Sequence, residues 1–289
     1  MSKIKIIKIF SVSLFVLILL IIGIFYYKNR IDYGNGKEDL VITDGKIYTP
    51  GNYDYKSIVI DGGTVTIDSP DGGKGELFLR AKEKIVIKSG AEINLSKKGY
   101  GGLSSEKKES NAGLVFNLAG GGGSHGGLGG SGSCTKKDST KVYGFNDNNE
   151  SFGEGGGIGS ETNKGTGGDG GGFIKLVAPE ITIDGKVISN GGDGLETGGG
   201  GGGGKVVLLS GKINLNGSIE VNGGQGGTSL FQGAGGGGGG VVVSNVSLRG
   251  EGVFVDGGAG GKAKDYYSGC SGSNGDKGKI LLGKKIINL

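Results

Sequence analysis

The side chains that could do chemistry are few and scattered along this chain. Glycoside hydrolysis needs two carboxylates at a fixed separation. The acids outside the turns are Glu83, Glu92, Glu180, Glu196, Glu220 and Glu251. Their spacing defines no pair, so it predicts no catalytic residue. Ser-His-Asp chemistry would rest on His125, the single histidine, which we expect at a loop surface.

Metal and nucleotide sites are just as weakly encoded. The segment 146–150 (NDNNE) offers oxygen ligands but lacks the spacing of a calcium loop, so a solvated turn is the simpler interpretation. The segment 191–194 (GGDG) matches only the first half of a calcium-binding nonapeptide. Matches to G-x-G-x-x-G inside glycine tracts lack the strand–loop–helix context of a nucleotide site. The sequence therefore predicts neither a metal nor a cofactor.

Six aromatic residues stand in or beside glycine tracts and outside the strand-like runs. They are Tyr143, Phe145, Phe152, Phe231, Tyr266 and Tyr267. Aromatic side chains at loop tips on a rigid base can contact sugars or a protein receptor, so ligand binding is one hypothesis for them. The alternative is that they cap the glycine tracts or pack on the flank of the fold.

The chain has two cysteines, Cys134 and Cys270, and each lies in a glycine-rich insertion. Disulfides persist outside the cytoplasm, where we expect the body of the protein. Insertions that leave the fold on one side would bring the two residues within bridging distance. We therefore predict a disulfide, with two free surface thiols as the alternative.

Composition narrows the class of fold and of partner. Of 289 residues, 71 are Gly and only 3 are Pro, which excludes collagen. A hydrophobic content of 34% favours a repetitive or elongated fold over a single compact core. The net charge of +4 is local, since five basic residues and no acid lie in the first 30 positions. The remaining 27 basic and 28 acidic residues nearly balance, so no nucleic-acid partner is predicted.

An apolar, charge-free run covers residues 9–27. At ~1.5 Å per residue it nearly spans a ~30 Å hydrocarbon core. A cleaved signal peptide is the alternative, but its apolar run is shorter and ends at small residues, whereas this one ends in IFYYKNR. We predict a single-pass cell-membrane protein with a cytoplasmic tail (1–8), a lipid-embedded anchor (9–27), a linker (28–39) and an extracellular body (40–289).

The body of the chain repeats itself. Residues 173–192, 205–224 and 241–258 each hold three short runs rich in Val, Ile and Leu, followed by glycine, and 77–95 is the same unit upstream. Units that cannot bury a face alone must stack on one another. The pattern predicts an all-β fold, a right-handed parallel β-helix with three strands per coil, preceded by one transmembrane helix.

Glycine tracts are inserted after the third run of each unit, the longest being 99–172. Their Gly-Gly-X triplets, as in 223–228, match the three-residue period of polyproline-II-type helices. Disordered linkers are the alternative. Asn190, Asn222 and Asp256 hold the same place before Gly-Gly, so we expect a stacked hydrogen-bond ladder there, with an acidic catalytic row as the alternative.

Residues 40–289 resemble the bacterial and archaeal glycine-rich, pectin-lyase-like β-helix proteins. The likeness rests on SIVIDGGTVTID (57–68), on LFLRAKEKIVIKSGAEINLSKKGYGG (77–102) and on the strand-strand-NGG units. The tracts also look like the polyglycine-II bundles of phage tail-tip adhesins and of the glycine-rich extracellular region of the anaplastic lymphoma kinase family. The β-helix superfamily includes polysaccharide lyases and hydrolases, whose active-site motifs have no match here.

Three functions follow as hypotheses. The first is a membrane-anchored, surface-exposed protein with a structural or adhesive role, binding a glycan or a receptor. The second is a polysaccharide lyase or hydrolase. The third is a self-assembling shaft or envelope component, because the last strand-like run (279–289) leaves an edge that could pair with another copy.

Overall fold

A computed structural model describes residues 15, 17–21, 31–103, 119–132, 142–143, 151–159, 165–248, 252–264 and 269–283. Residues 15 and 17–21 are helical, and their large apolar side chains are exposed. Over the part of the chain covered by these ranges, no helix has both the length and the apolar character needed to cross a membrane. Most of the predicted anchor lies outside the described residues. The chain divides between Asp32 and Tyr33 into two compact units, and every described strand belongs to the second.

Thirteen strands occur in the described ranges. They are β1 (Asp39–Ile42), β2 (Lys46–Tyr48), β3 (Gly51–Ile60), β4 (Thr64–Ile67), β5 (Glu76–Ile87), β6 (Glu92–Asn94), β7 (Phe173–Ile183), β8 (Lys186–Ile188), β9 (Lys205–Leu215), β10 (Ser218–Glu220), β11 (Val241–Ser244), β12 (Val253–Phe254) and β13 (Lys279–Leu282).

The strands form two parallel sheets, and the chain passes alternately from one to the other. The odd-numbered strands make a seven-stranded sheet in the order β1-β3-β5-β7-β9-β11-β13. The even-numbered strands make a six-stranded sheet in the order β2-β4-β6-β8-β10-β12. Each strand therefore pairs with the strand two places along the chain. The predicted all-β, parallel architecture is confirmed at this level.

The three runs predicted for each repeat are arranged differently from expectation. In β7 and β9 the first two runs join into one long strand, whose register is continuous from Phe173↔Lys205 to Ile183↔Leu215. Only the third run crosses to the other sheet. Strand pairing extends across the junction because alternating Ile, Leu and Val residues continue on both sides of it.

The main core lies between the two sheets and is built from stacked rows of Ile, Leu and Val. One row follows the register Ile58, Ile85, Ile181, and a neighbouring row follows Ile60, Ile87, Ile183. All six side chains have no exposed surface. Burying such a side chain stabilises the fold by about 1.5–3 kcal/mol, so the rows define which face of each strand points inward. Leu215 extends the second row and is 7% exposed.

A second apolar cluster covers the opposite face of the long sheet. It consists of Phe152, Phe173, Val207, Val241 and Val243. Phe152 comes from the insertion between β6 and β7, so this insertion lies over the sheet. The amino-terminal halves of β7, β9 and β11 are consequently buried on both faces, which explains their nearly unbroken apolar sequences.

The glycine tracts all leave the fold at one topological position. They follow β6, β8, β10 and β12, and each returns the chain to the next long strand. This is the position after the third run that the sequence indicates. The turns that precede β8 and β10 have only two residues, such as Asp184-Gly185 between β7 and β8, whereas eight residues separate β11 from β12. The glycine tracts are therefore all inserted at equivalent positions, after a short strand and before a long one.

Candidate functional site: the glycine bundle and its buried histidine

The glycine tracts form an ordered bundle in which backbone hydrogen bonds recur every third residue. In the stretch 198–204, Gly198 and Gly201 donate to Leu195 and Gly192 at 2.8 Å. Gly202, the residue after Gly201, donates its N–H to the Glu154 carbonyl of a second stretch at 2.8 Å. Gly200, the residue before Gly201, donates its N–H to the Gly235 carbonyl of a third stretch at 3.0 Å. This stretch thus contacts the first half of its own tract and two other tracts, along three directions.

The bundle needs glycine for close packing and not for an unusual backbone. None of the described glycines in 119–132, 151–159, 191–204 or 223–240 has a positive φ. A Cβ built on Gly200 or Gly237 would overlap a backbone carbonyl of the neighbouring tract. Tracts with a solvent side read Gly-Gly-X, and the X residues Gln225, Thr228 and Lys262 are exposed. The number of glycines in each triplet therefore indicates how many sides of the tract pack against other tracts.

The structure brings Asn190, Asn222 and Asp256 together at the start of three successive tracts. The Asn222 backbone N–H donates to Asn190 Oδ1 at 2.7 Å, and the Asp256 N–H donates to Asn222 Oδ1 at 2.8 Å. Each side chain thus binds the backbone of the next repeat. The Asp256 carboxylate pairs with Lys277 at 2.8 Å, an exposed contact. This arrangement links repeats and does not place a row of acids toward a substrate.

His125 is fully buried inside the bundle, so the expectation of a loop-surface position is wrong. Its Nδ1 lies 2.7 Å from the Gly203 carbonyl oxygen, which can only accept, so Nδ1 carries the proton. Its Nε2 lies 3.0 Å from Ser151 Oγ and accepts from that hydroxyl. The imidazole is fully buried and both of its nitrogens are engaged in hydrogen bonds, so the Ser-His contact joins two stretches of the bundle, although Ser151 itself is only half-buried.

Two further ionisable groups, Lys205 and Glu154, lie near His125, and no local sequence pattern marks either of them. Lys205 at the start of β9 has no exposed surface. Burial, followed by the repulsion from Lys205, lowers the pKa of His125 to about 4, while the Gly203 carbonyl opposes this shift. Burial raises the pKa of Glu154 to about 7, although the Ser124 N–H donates to its Oε2 at 3.1 Å.

Three of the six aromatic residues proposed as ligand contacts lie in the described part of the chain, and their surroundings differ. Phe152 is buried in the second apolar cluster. Tyr143 lies with its ring 5.0 Å from His125 and donates from its hydroxyl to the Phe152 carbonyl at 2.8 Å. For these two, the structure favours the packing alternative. Phe231 is 53% exposed, whereas Phe145, Tyr266 and Tyr267 lie outside the described residues.

Phe231 belongs to a tight turn at the tip of the tract between β10 and β11. The Ser229 N–H donates to the Gln232 carbonyl at 3.0 Å, and Ser229 Oγ donates to the same oxygen at 2.8 Å. Leu230, the other central residue of this turn, is 57% exposed. Leu195, at the tip of the preceding tract, is 64% exposed. The bundle therefore presents large apolar side chains on hydrogen-bonded tips.

The scattered acids do not converge. Glu180 pairs with Lys212 at 2.9 Å on the exposed face of the long sheet, and this partner lowers the pKa of its carboxyl. Glu92 accepts from Thr64 Oγ1 at 2.9 Å, and Glu220 lies 3.5 Å from Lys186. Glu196 is exposed at a tip, Glu83 is exposed on β5, and Glu251 lies outside the described residues. In the described part of the chain, no group of three His, Cys, Asp or Glu residues is placed to hold a metal ion.

A shallow groove of about 330 Å³ runs along the turns that join the two sheets. Its walls include Ser89, Glu92, Asp184, Lys186 and Ser218. Asp184 Oδ1 accepts from Asn216 at 2.8 Å, and Glu92 accepts from Thr64, so both carboxylates are held by neighbouring strands. These hydrogen bonds link neighbouring repeats at a solvent-exposed edge. They identify neither Asp184 nor Glu92 as a catalytic acid or base.

Cys270 is disulfide-bonded, and Cys134 lies outside the described residues. The chain segments leading to both cysteines run side by side. The Ser131 N–H donates to Ser273 Oγ at 2.8 Å, and the Ser273 N–H donates to the Ser131 carbonyl at 3.0 Å. The pairing Cys134–Cys270 stays a prediction, and this contact places three-residue neighbours of both cysteines within hydrogen-bonding distance.

Comparison with known proteins adds no family to these observations: no family model, no curated protein and no solved structure matches the chain.

Proposed function

We propose that this protein is a membrane-anchored, surface-displayed adhesin whose body is a right-handed parallel β-helix, in which each coil contributes one long and one short strand. In this proposal the glycine tracts form a polyglycine-II-type bundle that presents the binding surface. Two parallel sheets visited alternately by the chain support the coil. The hydrogen bonds that recur every third residue support the polyglycine-II assignment.

The proposal rests on the apolar bundle tips above all. Turn positions usually hold Gly, Asn, Asp or Ser, whereas Leu230 and Phe231 occupy the centre of a hydrogen-bonded turn and are more than half exposed. Exposed Leu and Phe side chains on a rigid base favour contact with a partner, because little conformational entropy is lost on binding. A glycan or a protein receptor is the partner class that suits such tips.

Anchoring is supported by the sequence at 9–27 and by the exposed apolar side chains of residues 15 and 17–21. The disulfide-bonded state of Cys270 supports placement of the body on the oxidising side of the membrane. Protease treatment of intact cells tests this placement directly. The body should be cleaved from intact cells, and protection until the membrane is permeabilised would contradict a surface location.

The adhesive role is tested with the displayed full chain on a glycan array and on a panel of potential host or neighbour cells. We expect a specific binder in one of the two assays, and we expect Leu230→Ser combined with Phe231→Ser to weaken it at least tenfold. The control is Phe254→Ser on β12, which removes a 42% exposed phenylalanine away from the tips. Equal weakening by tip and control variants, or no binding in either assay, would contradict the proposal.

A second candidate, self-association, is favoured by one observation. β13 pairs with β11 on one side, and its Ile280 and Leu282 are 41% and 50% exposed although they continue the inward rows of Val242 and Ser244. Sedimentation of the full chain in detergent would detect such pairing. Release of oligosaccharides from acidic polysaccharides would instead favour the lyase or hydrolase hypothesis, which no contact among the described residues favours.

A further inference from the structure

The buried histidine joins four separate stretches of the glycine bundle. His125 belongs to 119–132, its Nδ1 binds Gly203 just before β9, its Nε2 binds Ser151, and its carbonyl accepts from the Tyr143 N–H at 2.9 Å. All of these contacts lie within the bundle or where it meets the long sheet. His125 thus adds contacts of its own to the backbone hydrogen bonds, such as those from Gly123 to Gly200 and from Gly235 to Gly120, that hold the long insertion against the other tracts.

The surroundings of His125 disfavour a second positive charge. Lys205, two residues after Gly203, is itself fully buried and repels a protonated imidazole. The facing groups on the other segments are Ser151, Tyr143 and Glu154, the last reached through Ser124, whose N–H binds its carboxyl. Burial, and to a smaller extent the charges of Glu154 and Tyr100, raise the pKa of Tyr143, so this neighbour is neutral as well.

Protonation also disturbs the hydrogen bonds at the ring. The Gly203 carbonyl fixes the proton on Nδ1, so an added proton must go to Nε2, where Ser151 is the donor in the neutral form. The Ser151 hydroxyl would have to turn and accept. Glu154 gives no counter-charge at this stage, because its pKa of about 7 leaves it protonated below neutral pH.

We propose that the His125 cluster is an acid-sensitive latch: in mildly acidic surroundings, proton uptake by His125 loosens residues 119–131 and 151–158 of the bundle while the two β-sheets stay folded. The sheets are expected to persist because the core between them consists of apolar side chains. This proposal concerns the opening of the bundle and does not depend on which partner the tips bind.

The size of the effect follows from linkage. A histidine with a pKa of about 4 in the closed form and ~6.5 when released stabilises the closed form fully above pH 6.5. This contribution is lost as the pH falls toward 4. Between pH 7.5 and pH 5 the opening equilibrium should rise on the order of 30-fold.

The test uses the full chain in mild detergent and two readouts. Since His125 is the single histidine, a labelled imidazole gives one NMR signal, and we expect its titration midpoint well below 6.5. Hydrogen exchange, corrected for the intrinsic pH dependence, should show loss of protection between pH 7.5 and pH 5 in 119–131 and 151–158. Residues 77–87 in β5 should keep their protection.

Three variants separate the latch from a merely structural role. His125→Gln should remove the pH dependence of exchange in 119–131, and Lys205→Met should raise the imidazole midpoint and reduce the acid opening. Glu154→Gln should leave the opening between pH 6 and pH 5 unchanged, because the carboxyl is already protonated there. A histidine midpoint near 6.5, unchanged exchange down to pH 5, or wild-type pH dependence in His125→Gln would each overturn the proposal.

Discussion

At the level of single residues, packing by the glycine tracts removes His125 and Lys205 from solvent completely and Glu154 in part, and this burial shifts the pKa of His125 and of Glu154. Lys205 opens a strand that reads KVVLLSGKINL, and nothing in this pattern distinguishes a buried lysine from an exposed one at a strand end. His125 sits in GGSHGGL, which reads as a loop. Both are buried because the glycine tracts pack around them, and such packing between distant segments has no local signature. By contrast, the spacing before Gly-Gly was enough to group Asn190, Asn222 and Asp256.

Glu154 carries a measurable consequence of this burial. Its pKa is raised from 4.5 to about 7, so the folded state binds the proton more tightly than the unfolded state does. Stability from this group is therefore fully present below pH 4.5 and is lost as the pH rises through 7. Glu154→Gln should remove that loss and stabilise the protein by about 1–2 kcal/mol at pH 8, a value reduced for the partial exposure of the carboxyl.

Urea unfolding at pH 5 and pH 8 measures this difference. The control is Glu180→Gln, because Glu180 is exposed and its pKa is lowered by Lys212, which gives the opposite sign. Stability from Glu180 is present above its unfolded pKa and is lost as the pH falls through the folded value. If Glu154→Gln and Glu180→Gln change the pH profile in the same direction, the burial of Glu154 in the bundle is wrong.

At the level of elements, sequence periodicity predicted the strands well and their grouping less well. Alternation of apolar and polar residues, as in Lys212–Leu215, predicts that Ile181, Ile183 and Leu215 point inward, and all three are buried. The same pattern predicts inward positions for Ile213, Val246 and Leu248, which are only partly buried. The long strands were split into shorter runs because Pro179 and Gly211 interrupt them, yet parallel pairing continues past both positions.

The triplet rule for glycines gives a test with a matched pair. A Cβ at Gly237 would overlap the Gly201 carbonyl, whereas a Cβ at Gly101 would meet its nearest atom at 3.7 Å. Neither glycine has a positive φ, so the two alanine variants differ in packing and not in backbone strain. Gly237→Ala should destabilise the protein by about 1–3 kcal/mol, and Gly101→Ala should be neutral or slightly stabilising.

Thermal or urea unfolding of Gly237→Ala and Gly101→Ala measures this difference in stability. Hydrogen exchange would add where the change acts, since Gly237→Ala should loosen 198–204 and 223–227 before it affects β5. Equal stability of the two variants would mean that the tracts are not closely packed, and the disordered-linker alternative would then be favoured.

At the level of the whole molecule, the β-sheets and the glycine bundle are stabilised by different interactions, although they are built from the same repeats of the chain. The sheets are stabilised by burial of Ile, Leu and Val, which does not require exact backbone approach. The bundle buries little apolar surface and depends on many backbone hydrogen bonds between tracts that are distant in sequence, such as Gly235 to Gly120. Forming these contacts orders many residues in long loops, which costs conformational entropy. A covalent link between the first and last insertions lowers this cost, because it restricts the unfolded chain.

The predicted Cys134–Cys270 bridge would be that link, because it closes a loop containing most of the repeats. On the chain-entropy model a loop of ~100 residues contributes about 4–5 kcal/mol, and removal of a native bridge typically costs 2–5 kcal/mol. We expect Cys134→Ser with Cys270→Ser to destabilise the full chain within that range. The loss should appear first as faster hydrogen exchange in 119–132 and 269–278, where Ser131 meets Ser273. Intact-mass analysis after alkylation, with and without reductant, is the direct check, since two alkylatable thiols in unreduced protein would exclude the bridge and leave the bundle dependent on its backbone hydrogen bonds.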